Sequence, residues 1–270
     1  MSSNRGTKLA LLGRTFRRVF SFFFFLGRRS RKTKVFYVMS GLPVAMAAVI
    51  KINQMTAGTG RDVVNSVFVD ILMMFYLQFL IIILALFYGT SICSEEIEGR
   101  TLHYLTTRPL MKSGIILGKY GAYSLLLSLM VLPSLFCSYF VLNAGRLDRA
   151  AVYLAFLRYA GVMVLGILGY LAFFAFLGTA LRRPILIGLA FGFGWETVLQ
   201  YFPGSTQRFS VVHYLKSLLP RYSPGRFSLL TFRLEPTDPL ISVIMVLLIS
   251  AAFIGLACLA FSLKEYISAD

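Results

Sequence analysis

The chain has 270 residues, of which 57% are hydrophobic and only 14% charged, against about 25% charged in an ordinary soluble domain. That much apolar surface exceeds what one water-soluble core can hide, and it also excludes disorder, which is apolar-poor. The net charge of +16 does not point to a nucleic-acid partner, because the basic residues fill the gaps between long apolar runs, as in a membrane protein.

The first element is a basic segment over residues 1–33. Leu9, Leu12, Phe16, Val19 and Phe23 recur at three- and four-residue steps, with Arg14, Arg17 and Arg18 largely off that stripe. This pattern predicts an amphipathic helix in the cytoplasmic membrane interface, its cations on anionic headgroups. Arg17-Arg18 ahead of a Phe run looks superficially like an export signal, but no small-residue cleavage site follows.

Six apolar segments come next, at about residues 34–51, 67–93, 118–142, 152–181, 184–201 and 239–263. A bilayer core of about 30 Å needs roughly 20 such residues in a helix. The first segment is short, and Lys34 and Lys51 are expected to snorkel from its ends. None of the six alternates polar and apolar residues, which disfavours a β-barrel and leaves helices. The predicted fold is therefore an all-α integral membrane protein, with six transmembrane helices over 34–263 and a cytoplasmic tail at 264–270. Ten Lys or Arg occupy residues 1–34, and Arg182 and Arg183 fill the short fourth link. The positive-inside rule then puts both termini and the segment between spans two and three in the cytoplasm. The expected location is the plasma membrane, of the bacterial inner-membrane kind.

Few polar groups fall near the spans. Asp70, Lys119 and Arg158 lie close to span ends and read as snorkelling or locally paired groups. Glu196 lies deeper, twelve residues past Pro184, or roughly 18 Å along a helix. It is expected to face the protein interior or a wet cavity, either as a paired structural carboxylate or on a translocation path. Gly188 and Gly192 form a GxxxG pair that permits close helix packing, within one subunit or across a dimer interface. Before the last span, Ser210 is predicted to cap a helix that Pro220 ends. Val211, Val212, Leu215, Leu218 and Leu219 share one face of that helix, which dips into the outer interface or packs on the bundle.

Signatures of in-chain chemistry are missing from the sequence. There is no Walker A pattern, no HExxH and no GxSxG. His103 and His213 fall on segments assigned to opposite sides, and Cys93, Cys137 and Cys258 sit inside apolar runs. No metal site and no catalytic residue are predicted.

The most informative stretch joins spans two and three. Glu95, Glu96 and Glu98 put three of the chain's 11 acidic residues within four positions. Glu96 and Arg100 are spaced to pair on a helix face, Leu102 and Leu105 form a short apolar stripe, and Pro109 ends the element. Ser113 is predicted to cap the helix that re-enters the membrane. The result is a compact cytoplasmic knob suited to docking a soluble partner. The ordered set Glu95/Glu96, Gly99-x-Thr101-Leu102, Leu105, Arg108-Pro109 and Gly118-Lys119 resembles the corresponding loop of ABC-2 type transporter permeases, with Arg100 interrupting the usual Gly-Thr pair. The basic N-terminal helix, six spans and long outer segment match the same family. That resemblance implies a permease subunit paired with a second permease, identical or different. It also implies cytoplasmic ABC ATPase subunits that hold the ATP and Mg, with no cofactor in this chain. Glu95, Glu96, Glu98, Gly99, Thr101, Leu102, Leu105, Arg108 and Pro109 are then the coupling residues, and export is the family's usual direction. The hydropathy and the knob also suit a non-transporting membrane scaffold or immunity protein. An intramembrane enzyme would have only Glu196 as a candidate group.

Overall fold

A long apolar run has one way to satisfy its own backbone in lipid without a closed barrel, which is to form a helix. The structure, a computed structural model, describes residues 3–57, 72–98, 112–145, 147, 149–181, 183–201, 207–208, 210–219 and 237–263, and no strand occurs among them. In chain order the helices are α1 (Ser3–Arg29), α2 (Arg31–Ala57), a π-helical turn (Phe75–Leu80) leading into α3 (Ile81–Glu98), α4 (Lys112–Leu142) and α5 (Ala150–Ala180). Then come α6 (Pro184–Leu189), a second π-helical turn (Ala190–Trp195), α7 (Glu196–Tyr201), α8 (Val211–Ser217) and α9 (Pro239–Leu263).

Five stretches among the described residues are long and apolar enough to cross a bilayer: Arg31–Thr56, Phe75–Ile92, Ser113–Leu142, Ala150–Ala180 and Pro239–Leu263. The segment at 184–201 is helical throughout, and its apolar part, Pro184–Trp195, is shorter than these five and leads into α7. Its π turn holds Gly192 and Gly194, whose low helix propensity lets an extra residue bulge from the ladder. The first crossing is longer than 34–51, since α2 starts at Arg31 and reaches Ala57. Lys51 does not simply snorkel. Its Nζ donates to the carbonyls of Leu142 (3.2 Å) and Ala144 (3.1 Å), satisfying the open end of α4.

Contacts along the helices fix their directions. α2 and α4 run the same way, because the Ser134 hydroxyl donates to the Ser40 carbonyl and Lys51 reaches Leu142. α3 and α5 also run together, with Gly166 facing Leu77 and Ile81 and Gly178 facing Thr90. A Cβ at Gly178 would sit 2.7 Å from the Thr90 carbonyl oxygen, so this crossing requires glycine. α9 follows α5, with the Phe253 ring 5.0 Å from Phe173 and Gly169 facing Val246. The stretch from α6 into its π turn runs against α3, since Gly188 meets Leu86 and Phe193 meets Phe79.

The core lies between α5 and the stretch formed by the first π turn and α3, where Tyr76, Leu80, Tyr170 and Phe174 are fully buried. The Tyr76 hydroxyl is matched by Ser134 at 2.7 Å and Ser138 at 3.1 Å, as a buried polar group requires. α2 and α9 turn broad apolar faces outward, with Val38, Val49 and Ile52 on one and Leu240, Leu248 and Leu259 on the other. Faces of that size need lipid or another subunit to cover them.

Candidate functional site

The first region of interest starts at α1. This helix lies alongside the first half of α4 and runs in the same direction, with Thr15 against Gly114, Val19 against Gly118, and Gly27 against Leu126. Phe23 meets Tyr123 edge-on at 6.4 Å. A Cβ at Gly118 would lie 2.9 Å from the Val19 Cβ and 3.2 Å from the Phe16 carbonyl oxygen, so glycine permits the approach. Leu12, Val19 and Phe23 of the sequence stripe are half-buried, while Phe16, Arg14, Arg17 and Arg18 are exposed. Instead of resting on the membrane surface alone, the helix docks on its own chain.

α1, α3 and α4 meet at Lys119, which is only 1% exposed. Its Nζ donates to the Ile92 carbonyl at 2.9 Å and lies 4.4 Å above the centre of the Phe23 ring. Of the two expectations for this lysine, local pairing is realised and snorkelling is not. Arg158 is exposed on α5. The Lys119 junction brackets the acidic knob. Gly99, Thr101, Leu102, Leu105, Arg108 and Pro109 lie outside the described residues, as do Asp70, His103 and the tail at 264–270. The backbone of α3 extends through Glu95 and Glu96 to Glu98, whose three side chains also lie outside the description. α4 starts at Lys112, which puts Ser113 inside its first turn rather than ahead of it.

The second region surrounds Glu196, which is 3% exposed. The Ser210 hydroxyl donates to Glu196 Oε2. The Val211 N–H donates to Glu196 Oε1 at 3.3 Å, and the Tyr170 hydroxyl faces the same carboxylate. Ser210 holds the cap position of α8 but makes no cap bond with its own side chain. The carboxylate takes over that work, so the expected serine cap becomes a glutamate cap from another helix. α8 packs on the middle of α5, with Leu215 against Gly166 and Val211 against Gly169. Val212, His213, Tyr214 and Leu215 are all buried, which rules in packing on the bundle over a shallow dip into the interface. The His213 Nε2 and Thr237 hydroxyl are 3.1 Å apart, and the Thr237 N–H donates to the Ser217 hydroxyl, tying α8 to the start of α9. Burial pulls the Lys216 ammonium on α8 down to about 8, with the Glu196 carboxylate acting in the opposite sense.

Gly188 and Gly192 are both buried against the chain's own helices. A Cβ at Gly188 would come within 2.4 Å of Leu86 Cδ1, and one at Gly192 within 2.7 Å of Ile82 Cγ2. This face is already filled, so a subunit contact through the segment would use the exposed Leu186 and Leu189 instead. Among the described residues no three His, Cys, Asp or Glu side chains come close enough to hold a metal ion.

Sequence reasoning missed the docking face of α4, although the Gly114–Gly118 spacing is the same small-residue signal that it noticed in the fifth segment. It also missed Ser210 as a donor to Glu196, because no local pattern joins residues from two helices. No curated protein matches the chain. A family model described as ABC-2 family transporter protein matches residues 28–196. That match covers more than half of the chain and runs from the α1–α2 boundary through the acidic knob to the start of α7, so the protein belongs to the ABC-2 transporter membrane family.

Proposed function

We propose that this chain is the permease half of an ATP-driven exporter, with hydrolysis carried out by separate cytoplasmic ATPase subunits that bind ATP and Mg. Two permease subunits, identical or different, line the translocation path. The membrane domain covers 34–263 with six crossings, and the basic 1–33 segment and the 264–270 tail are cytoplasmic. The protein resides in the plasma membrane, of the bacterial inner-membrane kind. The observation that carries this reading is the family match, which includes the acidic knob within its 28–196 span.

Geometry supports the finer parts. The direction of α6 and its π turn against α3 suits a crossing completed by α7. The Lys119 junction suits a coupling role for Glu95, Glu96, Glu98, Gly99, Thr101, Leu102, Leu105, Arg108 and Pro109. A push on the knob would reach α1, α3 and α4 together through that junction. The exposed apolar faces of α2 and α9 suit lipid and a second subunit. Glu196, already engaged by Ser210 and Val211, favours its structural role over a place on the path.

Charge reversal tests the coupling. In Glu95→Lys with Glu96→Lys, co-purification with the ATPase is expected to fall while membrane insertion and thermal stability stay at the parent level. Unchanged co-purification and turnover would make the knob a solvated loop and reject the reading.

A further inference from the structure

At the elbow between α1 and α2 the surface opens into a cleft of ≈ 300 Å³, at the small end of the roughly 300–1,000 Å³ typical of ligand clefts. Its floor is aromatic, made by Phe36, Phe87 and Tyr88, and its rim includes Leu26, Ser30 and Arg31. The elbow is pinned in place. The Thr33 hydroxyl donates to the Gly27 carbonyl, and the Tyr88 hydroxyl lies 2.6 Å from the Thr33 hydroxyl oxygen. The Thr33 N–H donates to the Ser30 hydroxyl at 3.2 Å. The cleft is therefore preformed, with α3 fastened to the turn that shapes it.

The cleft has two chemically different ends. Toward the start of α2 it is lined by the exposed cations Arg31 and Lys32, with Arg28, Arg29 and Lys34 close by in the chain. No acidic residue precedes Asp62 in the chain. Glu196, beside the start of α8, lies away from this rim, and the next carboxylates along α3 past Ser91, from Glu95 on, have side chains outside the described residues. In the other direction the floor opens past Phe87, which is 42% exposed, onto the outward apolar side of α2 at Val35 and Val38. Tyr88 lies about one turn inside the end of the apolar stretch Phe75–Ile92, which sets the cleft at the membrane boundary. A soluble anion would leave the aromatic floor unused, and a zwitterionic lipid would bring no net charge to the cations.

We propose that this elbow binds one anionic phospholipid. Its phosphate sits at Arg31 and Lys32, and an acyl chain lies over Phe36 and Phe87. Anionic headgroups at a juxtamembrane basic cluster gain about 1 kcal/mol per cation, roughly a fivefold change in affinity. This binding is independent of transport and of any ATPase.

The test uses the full chain in mild detergent, with retained lipid counted by native mass spectrometry. Phosphatidylglycerol is the probe, and phosphatidylcholine and glycerol phosphate are the controls. One phosphatidylglycerol is expected to remain bound where phosphatidylcholine does not. Arg31→Gln and Lys32→Gln each weaken it about fivefold, and Phe87→Ala weakens it without changing the response to glycerol phosphate. Arg17→Gln with Arg18→Gln, on the same helix but away from the cleft, leaves it unchanged. Equal retention of phosphatidylcholine would overturn the proposal, and so would equal loss in the Arg17/Arg18 variant, which would mean diffuse attraction. Displacement by glycerol phosphate as effective as that by the lipid would point to a soluble anion and reject it too. A photoreactive phosphatidylglycerol on the unaltered chain provides a check free of mutations. Labelling is expected within 26–36 and 87–91, and labelling confined to other segments would also overturn it.

Discussion

Glu196→Ala removes the single acceptor that serves two donors at the start of α8. The Ser210 hydroxyl and the Val211 N–H both point at its carboxylate, which is 3% exposed, so water cannot easily replace it. A buried donor left without a partner costs about 1–3 kcal/mol, which puts the pair at roughly 2–6 kcal/mol. Interhelical hydrogen bonds in bilayers average only about 0.6 kcal/mol in double-mutant cycles, because the unfolded chain finds other partners. That sets a floor of roughly 1 kcal/mol for the loss. Glu196→Gln retains an oxygen for the Val211 N–H, and the Ser210 hydroxyl can turn to accept from the new amide. Its cost is expected to stay below about 1.5 kcal/mol. Thermal unfolding in mild detergent measures both variants, and hydrogen exchange over 211–217 reports α8 directly. The Ala variant is expected to melt earlier and lose protection in α8, with Gln close to the parent. An Ala variant with parental melting and parental exchange would refute the capping role. A Gln variant as damaged as Ala would show that the charge, rather than the acceptor, holds α8.

Three further outcomes follow from the packing. Gly118→Ala brings a methyl to 2.9 Å from Val19, an overpacking worth about 1–3 kcal/mol; tryptic cleavage at Arg14, Arg17 and Arg18 is expected to accelerate, and an unchanged rate would mean that α1 is not docked in membranes. Gly192→Leu drives side-chain atoms into Ile82 and Phe174, so the melting temperature should drop with any dimer loss; a stable, folded monomer would return this glycine to a subunit interface. Lys216 titrates near 8 in the fold against its ordinary 10.5. Its burial cost is complete below 8 and is relieved as the pH rises through 8, where the unfolded chain still holds the proton. Stability is therefore expected to climb from pH 8 towards 9.5, and Lys216→Met should flatten the climb; an equal slope in the variant would assign it to another group.

Much of the bundle was legible because burial in lipid leaves a coarse signal, the apolar run. The runs at 118–142, 152–181 and 239–263 correspond to helices Lys112–Leu142, Ala150–Ala180 and Pro239–Leu263. Ends were less legible, since a helix can continue beyond the hydrocarbon when another helix supports it. α4 extends back to Lys112 because α1 packs on Gly114 and Gly118, and α2 begins at Arg31 because Ser30 and Thr33 close the elbow. The π turns leave little sequence trace, since bulging depends on neighbours such as Phe79 and Phe193 meeting across two segments. Glu196 was marked by its depth, yet its partners were hidden because Ser210 and Val211 return to it from a separate helix.

The proposed function requires the segment between α3 and α4 to meet an ATPase in the cytoplasm. A photoreactive amino acid at Leu102, in the full chain and in native membranes, tests this most directly. Irradiation is expected to join the chain to a soluble protein that carries a Walker A motif, with the yield changing when ATP is added. Crosslinks found only to lipid, to this chain, or to reagents supplied from the outer face would contradict the account.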